Sequence, residues 1–357
     1  MNQLLHIVGA RPNFMKAAPV VHAATRLGVP QLLVHTGQHY DRAMSDVFFT
    51  ELGLPEPDVN LGVGSGSHAR QTAALLTALE DTFIEREPAM VVVYGDVNST
   101  IAAALVAAKL HIRVAHVEAG LRSFDWTMPE EVNRRVTDLC ADVLFTTSPE
   151  AMGHLGREGI DPSRVHFVGN PMIDTLLVNL DHFDAPRFRR DHDLDGDYGL
   201  VTLHRPANVD DPDAARRLVG QLHAVAERLP LVFPVHPRGR ALLEDAGLSP
   251  SGQLRVIEPI GYVEFLSGVR GAAVVITDSG GVQEETTVLN VPCLTARPNT
   301  ERPVTITHGT NRLVAPDDIA KMVDTVLADR PHVAEPPPLW DGRAGERIAA
   351  ILRDELR

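Results

Sequence analysis

Two cysteines in 357 residues leave little scope for a disulfide framework. Cys140 and Cys293 stand in apolar surroundings and read as buried thiols rather than a disulfide or a redox pair. Neither Cys-x-x-Cys nor His-Glu-x-x-His occurs, so no zinc site is expected. Positive charge is also scarce: 33 Lys and Arg face 47 Asp and Glu, for a net charge of −14. That argues against a broad basic surface and against nucleic acid as a partner. An anionic ligand would have to be held by a few placed cations and backbone amides. No apolar run approaches the roughly 20 residues of a membrane span, so no membrane partner is expected. The amino terminus lacks a basic leader and reads directly as a strand, which argues against a signal peptide and for a cytoplasmic protein. Walker, G-x-G-x-x-G and G-x-S-x-G motifs are missing, which disfavours ATPase, dinucleotide and serine-hydrolase chemistry.

What is present is the composition of a globular protein, 44% hydrophobic and 22% charged, in a chain long enough for two domains. Short apolar runs alternate with helical patterns. Strands are expected at 4–8, 31–35, 91–94, 114–117, 142–147 and 165–168, with helices over 13–27, 68–87 and 99–109 between them. This alternation predicts an α/β fold with a doubly wound parallel sheet. The logic repeats in the second half, with strands at 200–203, 231–235, 255–257 and 272–276 and helices over 211–228, 282–289 and 316–328. The linker Gly169–Asp174 and the aperiodic charged stretch Asp181–Asp197 mark a boundary. The expected domains span 1–170 and 171–342, with a terminal helix over 343–357 docking back on the first. Two such domains would hold a ligand in the cleft between them, at the carboxyl ends of their strands.

Those strand ends carry the candidate chemistry. Asp96 and Glu118 follow two neighbouring apolar strands, and Glu130-Glu131 opens a helix beyond the next loop. Acids at adjacent strand ends suit acid/base work, although each alone also reads as a cap or a solvated loop acid. Arg11 ends the first strand, and Lys16 lies one turn into the helix after it; a lysine there is ordinarily solvated. Asp278-Ser279-Gly280-Gly281 opens a helix, whose unpaired amides and partial positive charge suit a phosphate. Arg302 can clamp one bidentately, or pair with Glu301 at the surface. Of Glu284 and Glu285, one acid can accept ribose hydroxyls while the other is solvated. His204 and His236 each follow a strand and can bond phosphate or serve as acid or base. His35 and His39 straddle a strand end, which does not suit a metal, and no metal site is expected.

Ten motifs stand in one order along nearly the whole chain. They are Gly9-Ala10-Arg11-Pro12 with Lys16, Thr36-Gly37-Gln38-His39, Gly95–Thr100, His116–Ser123, Pro129–Arg134, Gly169–Asp174, Thr202–Arg205, Pro234–Pro237, Asp278–Glu285, and Glu301-Arg302-Pro303 with Gly309-Thr310. In this the chain resembles the non-hydrolysing UDP-N-acetylglucosamine 2-epimerases of bacteria and archaea. The resemblance implies a GT-B architecture of two Rossmann-like domains, a UDP-sugar ligand, a homodimer and no cofactor. It implies that Arg11, His204, Ser279, Gly280, Gly281 and Arg302 hold the diphosphate and Glu285 the ribose, with Lys16, Arg134 and His236 also in the substrate site. Asp96, Glu118, Glu130 and His204 become the acid/base candidates. The implied reaction eliminates UDP across C1–C2 to a 2-acetamidoglucal and re-adds it with the proton returned to the other face of C2.

Two departures stand out. After His204-Arg205 the chain reads Pro206-Ala207-Asn208, without the acid common in relatives. Some bacterial members are activated by a second UDP-sugar; Gln38, Arg205 and His236 match that site, whereas Tyr40-Asp41-Arg42 departs from it. Competing expectations are a hydrolysing 2-epimerase, a 2-epimerase for a diacetamido-uronic sugar, a GT-B glycosyltransferase and a nucleotide-sugar binding protein.

Overall fold

The computed structural model describes residues 2–37, 52–235, 237–333 and 335–357, apart from the side chains of Arg11, Pro206, Pro237 and Arg238. The chain forms two compact units, one of residues 1–178 with 338–357 and one of residues 179–337.

Unit 1 holds β1 (Leu4–Val8), α1 (Arg11–Arg26), β2 (Gln31–His35), β3 (Val59–Asn60), α2 (His68–Arg86), β4 (Met90–Tyr94), α3 (Asn98–Lys109), β5 (Arg113–Ala119), α4 (Pro129–Cys140), β6 (Val143–Thr146), α5 (Pro149–Arg157), β7 (Val165–Phe167) and α6 (Pro171–Val178). Its seven strands run in the order β3-β2-β1-β4-β5-β6-β7, all pairs parallel. Every residue of β1 and β4 is buried, as a parallel sheet covered on both faces requires. The apolar strands that the sequence predicts are thus present within one or two residues of their expected ends.

Unit 2 holds α7 (Ala185–Asp191), β8 (Gly199–Thr202), α8 (Pro206–Val209), α9 (Pro212–Ala226), β9 (Leu231–Pro234), α10 (Pro237–Asp245), β10 (Leu254–Ile257), α11 (Tyr262–Gly271), β11 (Val274–Thr277), α12 (Gly280–Leu289), β12 (Cys293–Thr295), α13 (Val304–Thr307), β13 (Asn311–Leu313) and α14 (Ile319–Asp329). Its parallel sheet runs β10-β9-β8-β11-β12-β13. That is the Rossmann order 3-2-1-4-5-6, whose direction reverses between β8 and β11; the same reversal in unit 1 lies between β1 and β4. Val201, Phe233, Ile276 and Leu294 of this sheet pack with Leu218, Leu222 and Val323 of α9 and α14 in one core.

Local differences from the sequence reading have local causes. Helix α1 starts at Arg11 rather than Asn13, because Pro12 falls in a first turn that needs no intrahelical N–H. Asn13 turns its side chain back, accepting from the amides of Gly9 and Ala10 at 3.1 Å each. The charged stretch after Asp181 contains α7, capped by Asp184 and anchored by the single buried Phe188. Strands β3, β12 and β13 are two or three residues long, too short to carry a period. Cys293 is buried as expected, but Cys140 is half-buried; both are free thiols.

The terminal helix α15 (Ala344–Glu355) packs on α1 within unit 1 through Ile348, Ala349 and Leu352, with Gly345 against Pro19. Asp174 on α6 caps it, accepting from the amides of Ala344 at 3.1 Å and Gly345 at 2.7 Å. Burial raises the Asp174 carboxyl to about 6, against the pull of those two amides. A carboxyl whose folded pKa lies above its unfolded value of about 3.9 contributes stability that is complete below that value and is lost as pH rises through the folded one. Melting of the wild-type protein against Asp174→Asn should therefore show a wild-type advantage that shrinks between about pH 4 and pH 6. An advantage that is constant or grows over that window would contradict the assignment.

Candidate functional site

In unit 1 the loops at the strand-order reversal carry the expected residues. The turn after β4 needs Gly95, at φ +63°; a Cβ there would stand 2.9 Å from Lys16 Nζ and 3.1 Å from Glu118 Oε2. Those two side chains form an ion pair with relative exposures of 4% and 2%. Lys16 is therefore not the solvated lysine that its position in a first helical turn suggests. Glu118 itself has φ +75°, at a point where the register of β5 against β6 shifts. A non-glycine residue in that region is strained by about 1–3 kcal/mol, and such strain concentrates at functional positions.

Asp96, the next residue after Gly95, is half-buried and ion-paired with Arg134 of α4, NH2 to Oδ2 at 2.9 Å. Its carbonyl accepts from Asn133 Nδ2 at 2.8 Å. Glu130 and Glu131 occupy the first turn of α4, but they face different surroundings. Glu130 is half-exposed. Glu131 is buried and accepts from the Ser123 amide and hydroxyl, both at 2.9 Å, and from Arg134 and Arg135. Burial would raise its carboxyl, but these donors outweigh burial and hold it below the usual range. Glu131 thus fixes the loop ahead of Glu130. The Arg11 side chain, Gln38 and His236 lie outside the described residues.

In unit 2 the loops after β8 and β11 meet. Asp278, fully buried, accepts from the amides of His204 and Arg205 at 3.1 and 3.0 Å and from Asn208 Nδ2 at 2.9 Å. Asn208 also donates to the Ala296 carbonyl at 3.1 Å, so the loop with Pro206-Ala207 is tied down without an acid at that point. The Asp278 carboxylate further lies 3.0 Å from His204 Nδ1. Burial pushes the Asp278 carboxyl up, but His204, Asn208 and the Arg205 amide together bring it below its ordinary value. A carboxylate on Nδ1 makes that nitrogen the donor and leaves Nε2 of the exposed ring for a ligand.

Ser279 sits at the N-cap of α12, yet its hydroxyl makes no capping bond. A Cβ on Gly280 would lie 2.4 Å from Arg302 NH1, so glycine is what lets the guanidinium lie against the start of this helix. Arg302 is buried, paired with Glu301 and, at 3.0 Å, with Glu284. Glu284 is therefore not the solvated acid that the sequence suggests; both it and Glu285 are buried. Arg297 also pairs with Glu301 at 2.6 Å, and Arg205 lies 3.8 Å from it. Three guanidiniums share Glu301 beside a helix amino terminus. Burial lowers the Arg297 pKa against the pull of Glu301. Glu284, Glu285 and Asp278 are buried acids of the same cluster, so the arginines are fixed in place by carboxylates around the start of the helix. That arrangement can hold a diphosphate through fixed cations and backbone amides. Arg297, and Asp278 as the partner of His204, carry no motif that the sequence reading could use.

Comparison with known proteins places these residues in context. Residues 23–353 match the family described as UDP-N-acetylglucosamine 2-epimerase. The chain is 40% identical to the UDP-N-acetylglucosamine 2-epimerase of Methanocaldococcus jannaschii over 97% of each sequence. It is 39% identical to the UDP-2,3-diacetamido-2,3-dideoxy-D-glucuronate 2-epimerase of Pseudomonas aeruginosa, over 98% of this chain and 99% of that one. The crystal structure of the M. jannaschii UDP-GlcNAc 2-epimerase in complex with UDP-GlcNAc and UDP superposes with a TM-score of 0.91, covering 99% of each chain.

The Lys16–Glu118 pair gives a direct test of the site's electrostatics. Removing one partner strands a buried charge, which typically costs about 3–5 kcal/mol, whereas removing both does not. Denaturant unfolding should show Lys16→Met and Glu118→Gln each strongly destabilised, and the double variant less so than their sum. Strictly additive losses would mean that the two side chains do not interact.

Proposed function

The chain belongs to the UDP-N-acetylglucosamine 2-epimerase family, and from that premise we propose that it interconverts UDP-N-acetylglucosamine and UDP-N-acetylmannosamine. The observation that carries the proposal is the different make-up of the clusters in the two units. Unit 1 gathers carboxylates, with Asp96 paired to Arg134 and Glu118 to Lys16. Unit 2 gathers cations and amides around a helix amino terminus. This suits a reaction in which a proton moves in one place and a diphosphate departs from another.

In the proposed reaction a base removes the proton from C2, and the C2–H electrons form a C1=C2 bond as the C1–O bond to UDP breaks. The 2-acetamidoglucal is then protonated at C2 from the opposite face while UDP re-adds at C1, so no atom is gained or lost. The C2 proton is weakly acidic, so both transfers call for positioned acid/base groups. Asp96, Glu118 and Glu130 are assigned to them. Departing UDP carries charge that preorganised donors stabilise. Arg11, Arg302, Ser279, Gly280 and Gly281 are assigned to the diphosphate, His204 to proton transfer at its oxygen, and Glu285 to the ribose. Lys16 and Arg134 hold the acids, and His236 completes the substrate set. No redox or metal cofactor is needed. Gln38, Arg205 and His236 are retained as a candidate second nucleotide-sugar site. Arg205 is already bound to the Asp278 carbonyl at 3.1 Å, which would tie such a site to the anion-holding loop.

The P. aeruginosa relative supports a second reading, 2-epimerisation of a diacetamido-uronic UDP-sugar, because its similarity is nearly equal. Assembly as a homodimer is supported by apolar side chains left exposed in unit 1. Val132 and Leu139 share a face of α4, and Trp126, 63% exposed, stacks under Arg135 on the same helix. Among the described residues no helix is long and apolar enough to cross a membrane. The two free thiols favour a cytoplasmic setting.

Incubation with UDP-N-acetylglucosamine, followed by separation of the nucleotide sugars, tests the proposal. UDP-N-acetylmannosamine at equilibrium with substrate is the expected outcome. Free N-acetylmannosamine with UDP would indicate the hydrolysing reaction, and conversion of the diacetamido-uronic sugar alone would indicate the second reading. The dyad in unit 2 adds a further expectation. In Asp278→Asn an amide N–H can face His204 Nδ1 and select the wrong tautomer, so turnover should fall ~100-fold or more while UDP binds within a few-fold. Unchanged turnover would remove His204 from the chemistry.

A further inference from the structure

Unit 1 also buries His116, Asp138 and Arg122, to which the assignments above give no task. His116, on β5 two residues before Glu118, is fully buried. Its Nε2 donates to the Gly95 carbonyl at 2.9 Å and its Nδ1 to Asp138 Oδ1 at 2.6 Å. A carbonyl and a carboxylate only accept, so both ring nitrogens face acceptors. Asp138 is also fully buried, and its Oδ2 takes the Gly120 amide at 3.1 Å and Arg122 NH2 at 2.7 Å. Burial pushes its carboxyl up, but His116 and Arg122 prevail and keep it below its ordinary value.

The alternation of charge continues from there. Arg122 pairs with Glu158 at 2.6 Å, Glu158 with Arg135 at 3.1 Å, and Arg135 with Glu131 at 3.0 Å. Glu131 pairs with Arg134, and Arg134 with Asp96 at 2.9 Å. His116 and three arginines thus alternate with four carboxylates. The set leaves from the Gly95 carbonyl and returns to the side chain of the adjacent Asp96. A buried charge is tolerated only when it is paired. A structural role alone would be met as well by apolar packing, since replacing buried ion pairs in this way is often neutral or stabilising. What this network achieves that packing cannot is directional: it fixes one turn from both sides. His116 holds the carbonyl of Gly95, Asn133 holds the carbonyl of Asp96, and Arg134 holds its carboxylate.

We infer that His116 is a positioning residue for Asp96, clamping the Gly95–Asp96 turn so that the carboxylate is aimed for proton transfer. The inference rests on the reading that Asp96 takes part in that transfer. Its geometric basis is that misplacing a catalytic group by about an ångström can cost 100-fold in rate.

A double-mutant cycle on turnover of UDP-N-acetylglucosamine tests it. His116→Phe should lower kcat roughly 100-fold and leave KM within a few-fold. Asp96→Asn should lower kcat by ~100-fold or more. The double variant should be no more than ~3-fold below Asp96→Asn, because contacting residues that act as one unit are not additive. His116→Gln, whose amide can still donate to the Gly95 carbonyl, should regain part of the lost kcat. If His116→Phe does not yield folded protein, Asp138→Asn takes its place in the same cycle. Multiplicative losses in the double variant, or full kcat without the histidine, would overturn the inference. Full kcat in Asp96→Asn alone would overturn instead the assignment of Asp96 on which it stands.

Discussion

A charge at the buried carboxyl end of a parallel strand must find an opposite charge, and that constraint shapes both units. The sheets are covered on both faces, and several charged side chains at their strand ends are buried with them. Lys16 and Glu118 lie there nearly without exposure, and each requires the other. The strained backbone of Glu118 and the left-handed turn at Gly95 are what bring the pair together. In unit 2 the same requirement makes Glu301 the hub of three arginines and turns Glu284 inward onto Arg302.

The two units meet the constraint with different clusters. Unit 1 pairs Asp96 with Arg134 and Glu118 with Lys16. Unit 2 sets arginines beside the first amides of α12, with the His204 ring steered by Asp278. Elimination and re-addition of UDP call for proton-handling groups for C2 and for preorganised donors for the leaving diphosphate.

Much of this was legible in the sequence, for identifiable reasons. Fully buried parallel strands such as Val91–Tyr94 are continuous apolar runs, and their ends announce the loops that hold ligands. The ordered motifs named the family, and the glycines of Asp278–Gly281 marked a helix start. Pairing was not legible. Nothing in a linear chain reveals that Lys16 meets Glu118 across 102 positions, or that Glu131 rather than Glu130 bears the burden of the loop. Arg297 and His116 lay in plain view, but their importance comes from partners that only the fold supplies. The short strands β12 and β13 carry too few positions for a period to be read.

In the proposed reaction the C2 proton is removed and returned while UDP departs and recombines. Epimerisation in D2O, followed by NMR at C2, reads that exchange. Deuterium should enter C2 of UDP-N-acetylmannosamine as it forms and wash into the recovered UDP-N-acetylglucosamine. An epimerised product that keeps protium at C2 would rule the reaction out.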